Sequence, residues 1–283
     1  MNTEILASNG GWHVRDLLRA ADELNLPCRV VEYRQLSAFV SIGNPSLPDV
    51  VMVRTMPLGS LEQVIFRMDV LNQWTQAGVR VVNPPRALET CIDKYLCTAR
   101  MQLAELPVPP TIVCQTAEEA MSALNLLGND VVVKPLFGSE GRGMMRVSDE
   151  DLGWRTFRTL ERQQAVLYLQ KFIPNAGWDL RVFLLGKQIL AGMRRHAESG
   201  WKTNVSLGGR AEAVVIGETE AELAVRAAET VGIDVGGVDL IQDQEGRWYV
   251  LEVNAVPGWR GLAKVCQVDV AKELWRYVTH EQP

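Results

Sequence analysis

The chain contains little histidine and lacks the cysteine spacings that are typical of metal sites. Among its 283 residues are only three histidines, His13, His196 and His280. It has five cysteines, an odd number, and no CxxC pair occurs among Cys28, Cys91, Cys97, Cys114 and Cys266. These counts argue against a disulfide framework and against a zinc site rich in histidine or cysteine. We expect reduced thiols, mostly buried.

The sequence also lacks an excess of positive charge and a long hydrophobic run. Lys and Arg total 29 against 34 Asp and Glu, giving a net charge of −5. Proteins that bind nucleic acid regardless of its sequence are usually basic, so we expect no nucleic-acid partner. No apolar stretch approaches the roughly 20 residues that span a bilayer, and the first residues do not resemble a signal peptide. We therefore expect a cytoplasmic protein that does not associate with membranes.

Residues 1–85 alternate between patterns typical of strands and of helices, which predicts a small open α/β sheet. Ser60 is the predicted N-cap of the second helix, and Asn83-Pro84-Pro85 is a plausible boundary. Residues 86–175 mix helices and strands around a glycine-rich segment. Residues 176–283 read as largely antiparallel strands, then a helix, a hairpin and one C-terminal helix. The sequence therefore predicts three units with these limits and a mixed α/β (α+β) fold.

An acidic hairpin carries the strongest chemical signal. The segments GVDLI and RWYVLEVN flank DQEG, whose composition suits a turn. A four-residue loop at 243–246 would pair Gln242 with Arg247 and place Asp239, Glu252 and Asn254 on one face, whereas a three-residue loop would turn Asp239 away. Two carboxylates and an amide oxygen suit Mg²⁺. The alternative is a set of surface acids, although Glu252 lies in an apolar run where an unpaired carboxylate is costly.

A glycine-rich segment and two lysines indicate a phosphate site. Glycines in GSEGRG, residues 138–143, allow backbone N–H groups to approach phosphates, although a plain turn is the commoner meaning of such a run. Lys134 ends a strand that we expect to be buried, and Lys94 lies in the first turn of a helix, where a cation opposes the helix dipole. Each lysine taken alone could be an ordinary surface residue.

Basic residues are concentrated between positions 179 and 210. Arg181 lies in one strand, Arg194 and Arg195 end the next, and Lys202 and Arg210 fall in the predicted loop WKTNVSLGGR. In an acidic protein this concentration indicates a site for a carboxylate or a phosphate. A solvated strand edge protected by charge explains it equally well.

Taken in order, these segments resemble the ATP-grasp superfamily, and specifically RimK-like ligases that add L-glutamate to a carboxylate acceptor. The resemblance covers nearly the whole chain and rests on NPPRALETCIDKYLCTARM, VPPTIVCQTAEEA, VVVKPLFGSEGRGM, QKFI, DLRVF, RRHAESGWKTNVSLGG, GVDLI and LEVNAVPGW. VRTMP and LEQVIFRMDVL in the N-terminal part are similar to the tetrahydromethanopterin:glutamate ligase branch. The resemblance implies an ATP-grasp fold with residues 1–85 as a pre-ATP-grasp domain, residues 86–175 carrying the lid, and residues 176–283 carrying the metal hairpin.

The resemblance also implies roles for individual residues. Lys94 and Lys134 would contact the phosphates of ATP, and the lid would comprise Gly138, Ser139, Glu140, Gly141 and Gly143. The hinge beside adenine would run through Gln170, Lys171, Phe172 and Ile173, although many relatives carry an acidic residue where this chain has Lys171. Two Mg²⁺ ions, with Mn²⁺ as an alternative, would be held by Asp239, Glu252 and Asn254. The acyl phosphate and the substrate carboxylate would be bound by Arg194 and Asn204, with Asp179 and Arg181 nearby.

The chemistry implied is formation of an acyl phosphate from the acceptor carboxylate, followed by attack of the amino acid's amino group. The acceptor implied first is a tetrahydromethanopterin- or methanofuran-type coenzyme, and the runner-up is a ribosomal protein or peptide tail. A homo-oligomer is expected from the resemblance alone. Two other classes stay open at this point, a regulator that binds ATP without turnover and a phosphotransferase of the same fold.

Overall fold

Three β-sheets, formed one after another along the chain, organise the protein. The computed structural model describes residues 1–8, 10–41, 46–138, 141–198, 200–203 and 209–280. Ser139, Glu140 and Asn204, which the sequence assigned to the candidate site, lie outside the described residues. No helix in the described ranges is long and apolar enough to cross a membrane.

The first sheet is parallel and has the strand order β2-β1-β3-β4. Its strands are β1 (Thr3–Ala7), β2 (Cys28–Glu32), β3 (Val50–Val53) and β4 (Arg80–Val82). The helices α1 (Trp12–Glu23) and α2 (Leu61–Gln76) connect them, with a 3-10 turn at Tyr33–Gln35. Ser60 caps α2 as predicted, and Gln63 completes a capping box with it. The predicted alternation of strands and helices over residues 1–85 is confirmed.

The second sheet is antiparallel and has the order β5-β8-β6-β7. Two helices precede it, α3 (Pro85–Ile92) and α4 (Lys94–Leu103), and its elements are β5 (Thr111–Cys114), α5 (Ala117–Leu126), β6 (Val131–Lys134), β7 (Met145–Val147), α6 (Glu150–Arg162) and β8 (Leu167–Lys171). The sequence did not predict α3, because its prolines indicated a break. Pro85 instead occupies the first turn of α3, where its missing N–H has no role.

The third sheet is antiparallel and has the order β11-β10-β9-β12-β13. Its strands are β9 (Trp178–Leu185), β10 (Gln188–His196), β11 (Arg210–Ala213), β12 (Val235–Gln242) and β13 (Trp248–Asn254), with α7 (Glu218–Val231) between β11 and β12. Arg210 opens a strand, where the sequence predicted loop. Two helices end the chain instead of one, α8 (Arg260–Cys266) and α9 (Val270–His280), because Gln267 adopts a left-handed conformation that stops α8.

The first and third sheets share their hydrophobic cores. Leu6 and Val51 of the first sheet lie in one core with Val182 and Leu240 of the third. A second core combines residues of both sheets, among them Ile5, Val50, Phe183 and Trp259. The second sheet has a core of its own, around Val131, Phe157 and Leu167. The limits proposed at 85/86 and 175/176 stay a prediction.

The register of the acidic hairpin differs from the predicted one. Gln242 pairs with Trp248 and not with Arg247, so the loop is one residue longer than predicted. A bulge between Val250 and Glu252 then shifts the register again and sets Asp239 opposite Glu252. Asn254 lies opposite Gly237, two residues from Asp239 along β12. The three predicted residues therefore do share one face, although by a different register.

Asn83 fastens the end of the first sheet to the third. Its side-chain amide is 1% exposed and donates to the carbonyl oxygens of Val235 and Ala255, each at 2.6 Å. Its oxygen accepts from the backbone N–H groups of Asp234 and Val235, each at 2.7 Å. One side chain thus satisfies buried backbone groups at the start of β12 and just after β13.

We expect Asn83→Ala to lower the free energy of unfolding by about 2–4 kcal/mol, because it leaves several buried polar groups without partners. The matched control is Asn72→Ala, since Asn72 makes one hydrogen bond, to the carbonyl of Met68 in its own helix. We expect that change to cost less than about 1 kcal/mol. Urea unfolding measures both, and equal losses in the two variants would contradict the bridging role of Asn83.

Candidate active site

A row of buried charges crosses one face of the third sheet. Strand alternation places Asp179 and Arg181 of β9, Arg195 of β10 and Asp239 of β12 on this face, and each residue is at most 8% exposed. Arg195 binds Asp179 through two hydrogen bonds of 2.6 and 2.7 Å, and Arg181 binds Asp239 through two of 2.7 Å. The Nη2 atom of Arg195 also lies 2.9 Å from Asp239. The negative and positive groups therefore alternate across the sheet.

This alternation favours the ionised forms of Asp239 and Arg195. Burial alone would raise the pKa of Asp239, but Arg181 and Arg195 outweigh it and hold that pKa below its ordinary range. Burial likewise opposes the charge of Arg195, yet Asp239 and Asp179 raise the pKa of its guanidinium. Removing one partner from such a network would leave a buried charge uncompensated, at a cost of about 3–5 kcal/mol.

Glu252 and Asn254 extend the row toward a cavity. Glu252 lies opposite Asp239 on β13, and its carboxylate is 4.0 Å from the Nη2 atom of Arg181. The side chain of Glu252 is 38% exposed, in contrast to the buried acids beside it. Because the oxygens of Asp239 are already bonded to two guanidinium groups, Glu252 and Asn254 are the members of the predicted metal set that are best placed to receive a cation. The described residues contain no cluster of three or more His, Cys, Asp or Glu side chains arranged for a metal.

Two lysines lie on the other side of the same cavity. Lys94 begins α4, and its Nζ atom donates to the carbonyl of Gly138 at 2.8 Å. Lys134 ends β6, is 7% exposed, and donates to the Oε1 atom of Gln170 at 2.6 Å. Both lysines line the cavity together with Gly138, Glu252 and Asn254. The sheets thus join residues that are up to 160 positions apart in the sequence.

Burial makes the protonated form of both lysines less favourable. It lowers the pKa of Lys134 to about 8, an effect that nearby Glu252 opposes and Lys94 reinforces. Burial also lowers the pKa of Lys94. Neither lysine has a carboxylate within ion-pair distance among the described residues, so their charge is available to an anionic ligand.

A second cavity adjoins the first between the second and third sheets. Apolar side chains of Val132, Ile241 and Leu251 line it, together with the predicted hinge at 170–173. The hinge N–H groups of Lys171 and Phe172 are already bonded, to the carbonyl oxygens of Pro110 and Asp130. Lys171 itself is exposed, and Gln170 points inward to hold Lys134. A flat apolar group fits here, although the hinge N–H groups of Lys171 and Phe172 are not available to it.

Two glycines of the predicted lid line these cavities. Gly138 borders the lysines, and Gly141 lines the apolar cavity. Gly143 has a φ of +72°, and a Cβ there would lie 2.9 Å from the ring of Pro135. Only glycine fits that position without displacing Pro135. A larger cavity of about 930 Å³ lies beside β5, but none of the predicted site residues lines it.

The adjacent residues Arg194 and Arg195 face opposite sides of the sheet. Arg194 stacks on Trp178 at 4.4 Å and lies 3.4 Å from Glu212, away from the row of charges. The structure therefore brings Arg195, and not the predicted Arg194, to the site. Sequence reasoning missed Arg195 because two neighbouring arginines cannot be told apart without the register. The pairing of Arg195 with Asp179 is the signal that separates them.

Comparison with known proteins gives the family of the chain. A family model for the RimK-like ATP-grasp domain matches residues 91–278, which include every described member of the candidate site. The chain belongs to the RimK-like ATP-grasp family. It is accordingly a ligase that forms carbon–nitrogen bonds with release of ADP, as predicted, and its fold implies binding of ATP and dependence on Mg²⁺.

Individual relatives agree with this assignment. The ATP-grasp protein is 31% identical to a tetrahydromethanopterin:alpha-L-glutamate ligase of Methanosarcina acetivorans, over 81% of this chain and 79% of the relative. It is 28% identical to the ligase of the same name from Methanococcus maripaludis, over 97% and 96% of the two chains. The structure of the ATP-grasp ligase PsnB with precursor peptide PsnA2 and AMPPNP superposes with a TM-score of 0.76, at 23% identity and with 99% and 97% coverage. The predicted ATP-grasp fold is confirmed.

If Lys134 binds the phosphates of ATP, the affinity for ATP should depend on pH in a specific direction. Lys134 is protonated below its pKa of about 8, and bound phosphate would favour the protonated form. The Kd for ATP should therefore be constant below pH 8 and rise by up to about tenfold per pH unit above it.

Isothermal titration calorimetry between pH 6.5 and 9.5 measures this dependence. Lys134→Met is the control, because it lacks the titrating cation and should bind ATP weakly at every pH. A Kd that rises with the same slope in wild type and Lys134→Met would assign the titration to another group.

Proposed function

We propose that the protein joins a carboxylate of an acceptor molecule to the amino group of L-glutamate through an acyl phosphate. The observation that carries this proposal is the convergence of Lys94, Lys134, Glu252 and Asn254 on one cavity. The charged row of Asp179, Arg195, Asp239 and Arg181 borders that cavity through Glu252. Two lysine cations for the phosphates and two side chains with oxygens for a metal thus lie beside this rigid row of charges.

Each part of the site has a task in this reaction. Lys94 and Lys134 would hold the phosphates of ATP, the hinge at 170–173 would border the adenine, and Gly138 and Gly141 would cover the nucleotide. Glu252 and Asn254 would hold Mg²⁺, with Asp239 beside them, and the ion would offset negative charge on the phosphate being transferred. Ser139, Glu140 and Asn204 retain their proposed roles from the resemblance alone.

The bond changes follow from these positions. A carboxylate oxygen of the acceptor attacks the γ-phosphorus of ATP, and the bond between that phosphorus and the ADP oxygen breaks. The amino group of L-glutamate then attacks the acyl carbon, loses a proton, and displaces phosphate. Arg181 and Arg195 are held rigidly by two carboxylates, so they would present their charge to the acyl phosphate without reorganising. A closed lid would protect this intermediate from water.

The relatives suggest two acceptor classes. The ligases from Methanosarcina and Methanococcus are named for tetrahydromethanopterin, which makes a one-carbon coenzyme of that type, or a methanofuran type, the first candidate. The PsnB structure contains a precursor peptide, which keeps a peptide or ribosomal protein tail as the second candidate. Incubation with ATP, Mg²⁺, L-glutamate and each acceptor in turn tests both, with mass spectrometry to detect a gained glutamyl residue. ADP release unaffected by every acceptor would contradict a ligase role.

Glu252→Gln tests the metal role within that assay. The substitution removes one negative charge without changing the shape of the side chain, so we expect amide formation to fall by at least about 100-fold. The free energy of unfolding should change little, because Glu252 is partly exposed. Glu245→Gln in the turn before β13 is the control, since Glu245 is exposed and distant from the cavity. Near-normal amide formation by Glu252→Gln at ordinary Mg²⁺ would remove Glu252 from the metal site.

The two neighbouring arginines provide a paired test. Arg195→Lys loses the planar contact with Asp179, and a loss of about 2–5 kcal/mol in the transition state corresponds to a decrease in rate of at least about 30-fold. Arg194→Lys changes a partly exposed pair on the other face and should stay within about twofold of wild type.

Rates should be measured at saturating ATP, with unfolding curves to show that both variants are folded. A greater loss of activity in Arg194→Lys than in Arg195→Lys would return the acyl-phosphate role to Arg194.

A further inference from the structure

The carboxyl end of the first sheet lies beside basic and aromatic side chains to which the proposed reaction assigns no role. In the order β2-β1-β3-β4, the chain passes from β1 to β2 in one direction across the sheet and from β3 to β4 in the opposite direction. Parallel sheets bind ligands at such a reversal, beyond the carboxyl ends of the two central strands. Here α1 starts after Gly10 and Gly11, which follow β1, and Arg54 follows β3 directly.

Arg54 is a buried cation without a counter-ion. It is 6% exposed, and no carboxylate of the described residues lies within ion-pair distance. Its Nη2 atom donates to the carbonyl of Pro257 at 3.0 Å, while its buried Nε atom has no hydrogen-bond partner. The buried arginines Arg181 and Arg195, by contrast, are each paired with carboxylates. Burial lowers the pKa of Arg54 to about 10, an effect that Tyr33 opposes, so Arg54 is charged at neutral pH without a carboxylate of the described residues to pair with it.

Further positive and aromatic groups surround Arg54. Its guanidinium lies 4.5 Å from the ring centre of Trp259, which also contacts His13 edge-on. Arg260 lies 5.6 Å from the ring of Trp12, and Trp12 begins α1, whose first turn holds no acidic residue. The start of a helix carries partial positive charge. Asp16, the acid that acts on neighbouring His13, is already bonded to Arg19 and to the indole of Trp259.

This end of the first sheet adjoins the proposed active site. Pro257, whose carbonyl accepts from Arg54, follows the proposed metal-binding residue Asn254 by three positions. A Cβ placed on Gly237 would lie 3.4 Å from Pro257 and 3.5 Å from Arg181. The loop around Pro257 therefore lies between Arg54 on one side and the charged row on the other. A molecule whose reacting carboxylate lies near Arg181 could extend to Arg54.

We propose that Arg54, with Arg260 and the start of α1, binds a second anionic group of the acceptor, one that does not react. The group is a carboxylate or a phosphate, and its recognition selects acceptors that carry at least two anionic groups. This inference rests on the proposed function, because it assigns part of the acceptor site of the same reaction. A bound anion would then pair with the guanidinium of Arg54 and offset the burial of its charge.

His13 offers a measurement that a purely structural role of Arg54 would not affect. Burial, with the charges of Arg54 and Arg260, lowers the pKa of His13 to about 4, and Asp16 opposes them. An anion bound beside Arg54 would offset the two guanidinium groups, so the pKa of His13 should rise by roughly 1. NMR titration of the imidazole signals can follow this, with the His13 signal assigned from a His13→Gln variant.

The probes are inorganic phosphate, the dipeptide L-glutamyl-L-glutamate and the triamide of that dipeptide, in which all three carboxyl groups are blocked, each added to the protein with ADP and Mg²⁺. We expect phosphate or the dipeptide to raise the pKa of His13, and the triamide to leave it unchanged. A response to phosphate but not to the dipeptide would identify the second anionic group as a phosphate. No response to either anion in wild type would overturn the proposal.

Arg67 provides a matched control. It is 7% exposed, has no carboxylate partner in the described ranges, and contacts Tyr33 and the carbonyl of Pro57, whereas its charge does not reach His13. Arg54→Gln should abolish the response of His13 and raise the KM for an acceptor with two anionic groups by at least about tenfold, with the Kd for ATP unchanged. Arg67→Gln should change neither quantity. Arg54→Lys, which keeps the charge, should retain part of the response.

The outcomes separate this inference from the proposed function. If amide formation occurs but Arg54→Gln responds to anions as wild type does, the anion site is refuted and the ligase stands. If His13 responds to anions but no acceptor gives an amide, the anion site stands and the ligase proposal fails. Equal increases in the acceptor KM for Arg54→Gln and Arg67→Gln would refute the specific role of Arg54.

Discussion

The alternation of charge across the third sheet is the interaction on which the candidate site depends. Asp179, Arg195, Asp239 and Arg181 are buried side by side, and each pair is joined by short hydrogen bonds. A single ion buried there would be destabilised by the loss of water, whereas the alternating row places each charge beside one of opposite sign. The row also fixes the side chains rigidly, and Glu252 and Asn254 extend it to the cavity. Electrostatic preorganisation of this kind is what a reaction with a highly charged transition state requires.

The rest of the structure places this row across the cavity from Lys94 and Lys134. The first and third sheets share two hydrophobic cores, and Asn83 joins them with four hydrogen bonds. The second sheet, with its separate core, contributes Lys134, and Lys94 comes from the helix that precedes it. The cavity thus forms where independently packed layers meet. A ligand that bridges the lysines and Glu252 would also bridge those layers.

The sequence predicted the fold, because the signals for it were local, and the roles of the site residues stay predictions. Strand and helix patterns, the cap at Ser60 and the ordered motifs each depend on a few neighbouring residues. The errors concern features that depend on register or context. A longer turn and a bulge decide which residue faces Asp239, and pairing with β9 decides that Arg195 faces the site while Arg194 does not. The lack of a counter-ion at Arg54 could not be predicted either, since it depends on what the fold leaves nearby.

The proposed reaction activates a carboxylate by transferring phosphate to it. The most direct measurement uses an acceptor whose reacting carboxylate is labelled with ¹⁸O, with the phosphate released during amide formation analysed by mass spectrometry. Attack of the carboxylate on the γ-phosphorus, followed by displacement by the amine, transfers one labelled oxygen to phosphate for each amide formed. We expect one labelled oxygen in the released phosphate for each amide formed. Amide formation with unlabelled phosphate would contradict it.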